Sequence, residues 1–180
     1  MQPAIFLDRD GVIIENRTNY IRNWSEVHFY SQALESLVKL KSSPYKIVII
    51  TNQSAIGRGI ISRNTACEIN KHLVEEIVRA GGRIDGVFMC PHSPDDDCDC
   101  RKPRPGLILQ AAKDLLIDLE HSIMIGDALA DLQAGQAAGV QSLVLVRTGR
   151  GAEQESALDS SSLPPIHVCD TLIKAIEVLL

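Results

Sequence analysis

Asp8 and Asp10 stand either side of Arg9, followed by Gly11-Val12 and directly preceded by an apolar run that ends at Leu7. Two carboxylates at that spacing on a turn can meet one phosphate in different roles. One can attack phosphorus to give an aspartyl phosphate, which divides a hard displacement by water into two easier steps. The other can protonate the departing alkoxide and later take a proton from the incoming water. Asp8 takes the first role here and Asp10 the second, while Gly11 lets the backbone turn tightly beside the ligand. On its own the motif describes an ordinary polar turn after a strand equally well.

Three further segments give it company. Thr51-Asn52-Gln53-Ser54 offers hydroxyl and amide donors to the peripheral oxygens of a phosphate, although such residues also favour turns and caps. Gly126-Asp127 ends another apolar run and adds a third carboxylate. Asp8, Asp127 and the backbone carbonyl of Asp10 form the hard oxygen set that magnesium takes, an ion that offsets charge on the phosphate and its carboxylate attacker. Asp131, one helical turn later, either orients a neighbour or serves as an acidic first-turn residue. Arg101 and Lys102 precede a proline-stiffened stretch. Lys102 suits a point charge against the transferring phosphoryl group, and the fork of Arg101 suits recognition elsewhere on the substrate.

Just ahead of that pair, Cys90-Pro91-His92 is followed after five residues by Cys98-Asp99-Cys100. Three thiolates and an imidazole make a complete tetrahedral zinc set with no position left for water, which points to a structural ion that pins the loop carrying Arg101 and Lys102. Free thiols or a labile disulfide are the alternatives. Asp95, Asp96 and Asp97 are expected at the solvated tip of this loop. Cys67 and Cys169 read as small buried hydrophobes.

The elements that must position these residues alternate. Strand-like runs at Ala4–Leu7, Lys46–Ile50, Gly86–Met89, Ser122–Ile125 and Ser142–Val146 are interleaved with helical spacing over 32–40, 62–80, 106–116 and 128–138. A last strand at Ile166–Val168 and a helix at Thr171–Leu180 follow a polar segment, 149–165, read as a loop. Continuously apolar strands are buried on both faces, so the expected fold is α/β, a doubly wound, Rossmann-like parallel sheet covered by helices on each side. Ligands of such sheets bind beyond the carboxyl ends of the strands. Asp8, Thr51, Cys90 and Asp127 each follow a predicted strand, so this fold gathers four separated segments at one rim.

The totals narrow the class. With 180 residues, 45% of them hydrophobic and 23% charged, the chain reads as one soluble globular domain, 1–180, with the zinc loop 90–100 inserted. A net charge of −5 and 4% aromatics leave neither a basic footprint nor stacking platforms for nucleic acid. The apolar runs fall far short of the ~20 residues of a membrane span, and the N-terminus lacks a secretory signal, so a cytoplasmic protein is expected.

Asp8-Arg9-Asp10-Gly11, Thr51-Asn52-Gln53-Ser54, Arg101-Lys102-Pro103 and Gly126-Asp127 together resemble, in order and spacing, the four motifs of the haloacid dehalogenase superfamily. The cysteine loop is similar to that of its zinc-loop branch, whose members act on a heptose bisphosphate or on histidinol phosphate. The resemblance runs along nearly the whole chain, through Arg147-Thr148-Gly149. It implies a magnesium-dependent phosphatase without a large cap domain, with Asp8 as nucleophile and metal ligand, Asp10 as acid/base, Asp127 as metal ligand, and Thr51 and Lys102 as phosphoryl stabilisers. It also implies that Arg101 binds substrate and that Asn16 to Tyr20, with Asn52, Gln53 and Ser54, line the pocket. The expected substrate is a small phosphorylated sugar, a heptose 1,7-bisphosphate losing its 7-phosphate, with a monomeric enzyme. Histidinol phosphate is the alternative substrate, and a non-catalytic zinc-stabilised binding protein the alternative class. Ala128 departs from the branch, which often has Lys there.

Overall fold

The computed structural model describes residues 1–158 and 162–179. The apolar runs become six strands: β1 (Gln2–Leu7), β2 (Lys46–Asn52), β3 (Gly86–Cys90), β4 (Ile117–Gly126), β5 (Ser142–Val146) and β6 (His167–Cys169). Among the described residues seven α-helices accompany them: α1 (Ala33–Leu40), α2 (Ser54–Gly57), α3 (Arg63–Arg79), α4 (Gly106–Leu115), α5 (Leu129–Ala138), α6 (Gly151–Glu155) and α7 (Leu172–Leu179).

Every strand pairing is parallel, in the order β3-β2-β1-β4-β5-β6. Parallel strands need crossovers, and the helices that make them cover both faces. Alternation along each strand then serves two cores. Ile5 and Leu7 of β1, Ile47 and Ile49 of β2 and Ile125 of β4 face one side, with Leu37 and Leu40 of α1, Leu73 and Ile77 of α3 and Ile176 of α7. Ala4, Phe6, Val48, Ile50 and Met124 face the other, against Leu107 and Ile108 of α4 and Leu132 of α5. This two-sided burial explains why the strands read as unbroken apolar runs.

The winding reverses between β1 and β4, so a crevice opens there at the carboxyl ends of the strands, where open α/β sheets bind ligands. Leu7 pairs with Ile49 on one side and Ile125 on the other, and the Asp8 N–H donates to the Ile125 carbonyl at 3.0 Å. Asp8 therefore leaves the sheet beside Gly126-Asp127.

Differences from the sequence expectations are local. β4 begins at Ile117, five residues earlier than expected, because its first half pairs with Gln2 and Pro3 across an irregularity while carrying the polar Asp118 and Glu120. Thr51 and Cys90 lie inside their strands rather than after them. The segment read as a loop, 149–165, contains α6; residues 159–161 of it, like Leu180 at the end of the last expected helix, lie outside the described residues. Cys169 is buried as expected, whereas Cys67 is exposed on α3. Among the described residues no helix is long and apolar enough to cross a membrane.

Candidate active site

Three loops close on the switch point. Gly11 has φ +96°, and a Cβ there would run into the Asp127 carboxylate; Gly149, at φ +61°, approaches the same carboxylate and the Gly11 Cα as closely. Only glycine fits such positions, for both conformation and space. The Thr148 hydroxyl donates to the Gly11 carbonyl at 2.6 Å, and the Gly149 N–H donates to the Tyr30 hydroxyl at 2.9 Å. The turn after β1 and the loop after β5 are thus pinned to each other, with Asp127 between them.

At the centre sits a buried charge cluster. The Lys102 ammonium lies 2.6 Å from Asp8 Oδ1 and 2.6 Å from Asp131 Oδ1, and donates to the Ile50 carbonyl at 2.8 Å. All three of its N–H donors are used, so the side chain is fixed. Asp131 also accepts the Ala128 N–H at 3.1 Å, which makes it both the cap of α5 and the partner that holds Lys102. Burial pushes the Asp8 carboxyl up to about 8, with Lys102 pulling against the shift and Asp131, Asp127 and Asp10 adding to it. For Lys102, burial alone favours the neutral amine, but Asp131 and Asp8 outweigh it and hold the ammonium above its usual range. Carboxylates outnumber the one buried ammonium, and such an anionic surplus is what a divalent cation relieves.

The oxygens of Asp8, Asp127 and Asp131 lie within 4.8 Å of one another, an all-carboxylate set suited to a small hard cation. Asp127 is fully buried. Its Oδ2 accepts from Asn16 Nδ2 at 2.7 Å and the Arg150 N–H at 2.9 Å, and the Arg150 guanidinium reaches Oδ1 at 3.3 Å.

Asp10 is held apart from this cluster. Arg9 grips it through Nε and Nη2, both at 3.0 Å, and Gln53 Nε2 donates to Oδ2, also at 3.0 Å. Gln53 shares that amide with the Thr51 hydroxyl at 2.8 Å. Asn52 completes the frame, exchanging two hydrogen bonds with the Lys102 backbone at 3.1 and 3.2 Å and so tying β2 to the loop that delivers the lysine.

A cleft of about 430 Å³ opens above these groups. Its lining includes Asp8, Asp10 and Lys102 at the floor, Asn16 and Tyr20 on one wall, and Asn52, Gln53, Ser54 and Arg101 on another. Thr51 and Asp127 do not line it; both are fully buried just beneath, where Thr51 supports Gln53 and Asp127 faces Asp8. Arg17 lines the cleft within the expected segment Asn16 to Tyr20, whereas sequence reasoning missed Arg150. The signal for Arg150 was present: it is the cation directly after the glycine of a rim loop. Asp131, left undecided by sequence, belongs to the charge cluster.

The second cluster is soft. Cys90, Cys98 and Cys100 stand 3.2–3.6 Å apart, and His92 Nδ1 lies 3.6 Å from Cys90 Sγ and 3.3 Å from Cys100 Sγ. Tetrahedral zinc bonds of about 2.0–2.3 Å place ligand atoms roughly 3.5–3.8 Å apart, so the four groups fit one such ion with little adjustment. Burial, with Cys90 and Cys98 adding, pushes the Cys100 thiol up to about 12, and a bound cation reverses that preference. Asp95, Asp96 and Asp97 are exposed, and Asp96 accepts the Ser93 N–H at 2.6 Å to cap a short 3-10 turn. The loop closes again where Arg104 Nη1 donates to the Asp97 carbonyl at 3.1 Å.

The four motifs converge at one end of the sheet, around and beneath one cleft, and the HAD-hydrolase-like family model matches residues 99–175. The D-glycero-beta-D-manno-heptose-1,7-bisphosphate 7-phosphatase of Photorhabdus laumondii is 38% identical over 86% of this chain and 85% of its own length. That of Bordetella bronchiseptica is 36% identical over 98% and 97%. The crystal structure of the B. bronchiseptica D,D-heptose 1,7-bisphosphate phosphatase, complexed with magnesium and phosphate, superimposes with a TM-score of 0.90 at 35% identity, covering 98% of this chain and 97% of that one. The chain belongs to the haloacid dehalogenase superfamily, in the family of these heptose bisphosphate phosphatases.

Proposed function

We propose that the chain is a single-domain phosphatase that removes the 7-phosphate from D-glycero-D-manno-heptose 1,7-bisphosphate through an aspartyl phosphate on Asp8. The observation that carries this is the pairing of two differently held carboxylates on one turn: Asp8 in the buried cluster with Lys102 at 2.6 Å, and Asp10 gripped by Arg9 and Gln53 at 3.0 Å.

Magnesium fits Asp8 and Asp127, with the Asp10 carbonyl completing the set expected from sequence, and when bound it offsets charge on the phosphate and on Asp8. Zinc fits Cys90, His92, Cys98 and Cys100 as a structural ion. Asp8 attacks phosphorus, and the fixed Lys102 ammonium draws charge from the transferring group. Asp10, with one edge presented to the cleft, gives its proton to the sugar oxygen and then takes one from the water that cleaves the acyl phosphate. Thr51 acts from beneath, through Gln53, to set the donors of the β2 loop.

Among the described residues, the walls beyond the reaction centre carry Arg17, Arg101 and Arg150 and, away from Asp8, Asp10 and Asp131, no acidic side chain. Such a wall suits a substrate with a second phosphate and disfavours the cationic histidinol phosphate. The test compares kcat/KM for heptose 1,7-bisphosphate and histidinol phosphate with magnesium present. A clear preference for the bisphosphate is expected, and the reverse preference refutes the substrate assignment.

A further inference from the structure

Arg9 is 2% exposed, yet its guanidinium is only partly satisfied by Asp10. Nε and Nη2 are committed to the two oxygens of Asp10, and the remaining terminal nitrogen, Nη1, donates to Asn70 Oδ1 at 2.7 Å. Asn70 lies on α3, is itself 7% exposed, and turns its amide nitrogen to Met89 Sδ at 3.6 Å. This orientation of the amide is the one its surroundings allow: reversed, it would set an N–H donor against the guanidinium and an oxygen against a thioether. Met89 pairs across the sheet with Thr51, which supports Gln53 and, like it, donates to Asp10 Oδ2, at 3.5 Å against 3.0 Å for Gln53. A buried path therefore runs from β3 through Asn70 and Arg9 to Asp10, and it fixes the plane of the guanidinium and with it the direction of the carboxyl group.

We infer that Asn70 is a positioning residue for proton transfer: through Arg9 it aims Asp10 at the leaving-group oxygen. Without the Asn70 oxygen, Arg9 keeps an unpaired buried donor, and its two bonds to Asp10 no longer define one rotamer. The inference rests on Asp10 being the acid/base group of the proposed reaction. It has a kinetic signature that general weakening of the fold does not share. kcat/KM covers the steps up to transfer of the phosphoryl group to Asp8, and in those steps a proton is needed only when the leaving group is a poor one. A sugar alkoxide needs it; p-nitrophenolate does not.

The experiment measures kcat/KM of the magnesium-loaded enzyme on heptose 1,7-bisphosphate and on p-nitrophenyl phosphate for Asn70→Leu, Asn70→Ala and Asn70→Asp. The two apolar variants are expected to lose about 10- to 100-fold on the sugar phosphate and no more than about 3-fold on the nitrophenyl ester. Asn70→Asp, which keeps the acceptor oxygen, retains most of both activities. Asn70→Ala gives the same reading if the bulkier leucine prevents folding. Equal losses on both substrates, or no loss on either, overturn the inference. Asp10→Asn separates the two levels of the claim. If it leaves sugar-phosphate turnover intact, Asp10 is not the acid and the underlying reading fails. If it abolishes turnover while the apolar Asn70 variants do not, only the positioning role fails.

Discussion

The two clusters able to hold metal ions differ in almost every physical respect. The soft one comes from a single short stretch, Cys90 to Cys100, and sits on the last residue of β3 and the loop after it, with only Cys90 fully buried. The hard one is buried throughout and joins the ends of different strands; Lys102, at its heart, is 94 positions from the Asp8 it touches. A cluster that is local in sequence can be completed by its ion with little help from the fold. The carboxylate cluster needs the whole sheet, because without it mutual repulsion drives the aspartates apart. Under the proposed function, the soft site holds a loop in place and the hard site does the chemistry. Perturbing each in turn tests that division.

The largest effect is expected at Asp8. Asp8→Asn keeps the shape of the side chain and removes the proposed nucleophile, so phosphatase activity should fall by at least about 1,000-fold. The zinc content and the melting temperature should hold or rise, since a neutral amide costs less to bury beside Asp131 and Asp127. Substantial residual turnover would remove Asp8 from its assigned role. Next comes Lys102. Lys102→Met leaves Asp8 and Asp131 facing each other without a cation and should cost about 3–5 kcal/mol of stability, read from denaturant midpoints, and about 100- to 1,000-fold in kcat. Adding Asp131→Asn should restore part of that stability and none of the rate. A double variant with recovered rate would show that Lys102 serves the fold alone.

The same division governs how much the sequence discloses. The candidate zinc ligands are legible because their spacing alone brings them together, and the strands are legible because burial on both faces makes continuous apolar runs. Asp8, Asp10 and Asp127 become legible only after those strands are laid side by side, when each carboxylate falls at a carboxyl end. Contacts that depend on helix docking stay hidden. Nothing in the local sequence around Asn70 indicates that α3 turns it toward Arg9. The depth of Asp127 was also hidden, because its burial comes from Asn16 and Arg150, which belong to other loops. Likewise α6, five residues long, is too short for its periodicity to stand out from a polar loop.

The soft site should answer differently. Cys98→Ser, or stripping of zinc with a strong chelator, should lower activity by about 10- to 100-fold. It should also lower the melting temperature and expose the segment before Arg101 to proteolysis. Magnesium added back should restore nothing. Removal of magnesium alone should abolish turnover and be fully reversed on its return. Rapid recovery of zinc-stripped enzyme by magnesium would erase the distinction between the two sites.

The smallest expected effect lies on the cleft wall, where the hard cluster meets substrate. Arg150 spans both worlds: its backbone N–H and guanidinium hold Asp127, while its side chain is more than half exposed and lines the cleft beside Ala128, which offers only a methyl group. Its guanidinium contact of 3.3 Å to Asp127 is longer than a strong charge-assisted bond, so its charge remains free to meet a second anion. Arg150→Gln keeps the backbone bond to Asp127 and removes only the charge. KM for heptose 1,7-bisphosphate should rise by about 10-fold with kcat little changed, the mark of a lost uniform binding contact. KM for the same sugar with the 7-phosphate alone should barely move. Ala128→Lys placed on the Arg150→Gln background should recover much of the loss, because a cation from that position reaches the same wall. Equal rises in KM for the two sugars would show instead that Arg150 acts through Asp127 on the reaction centre and not on the distal phosphate.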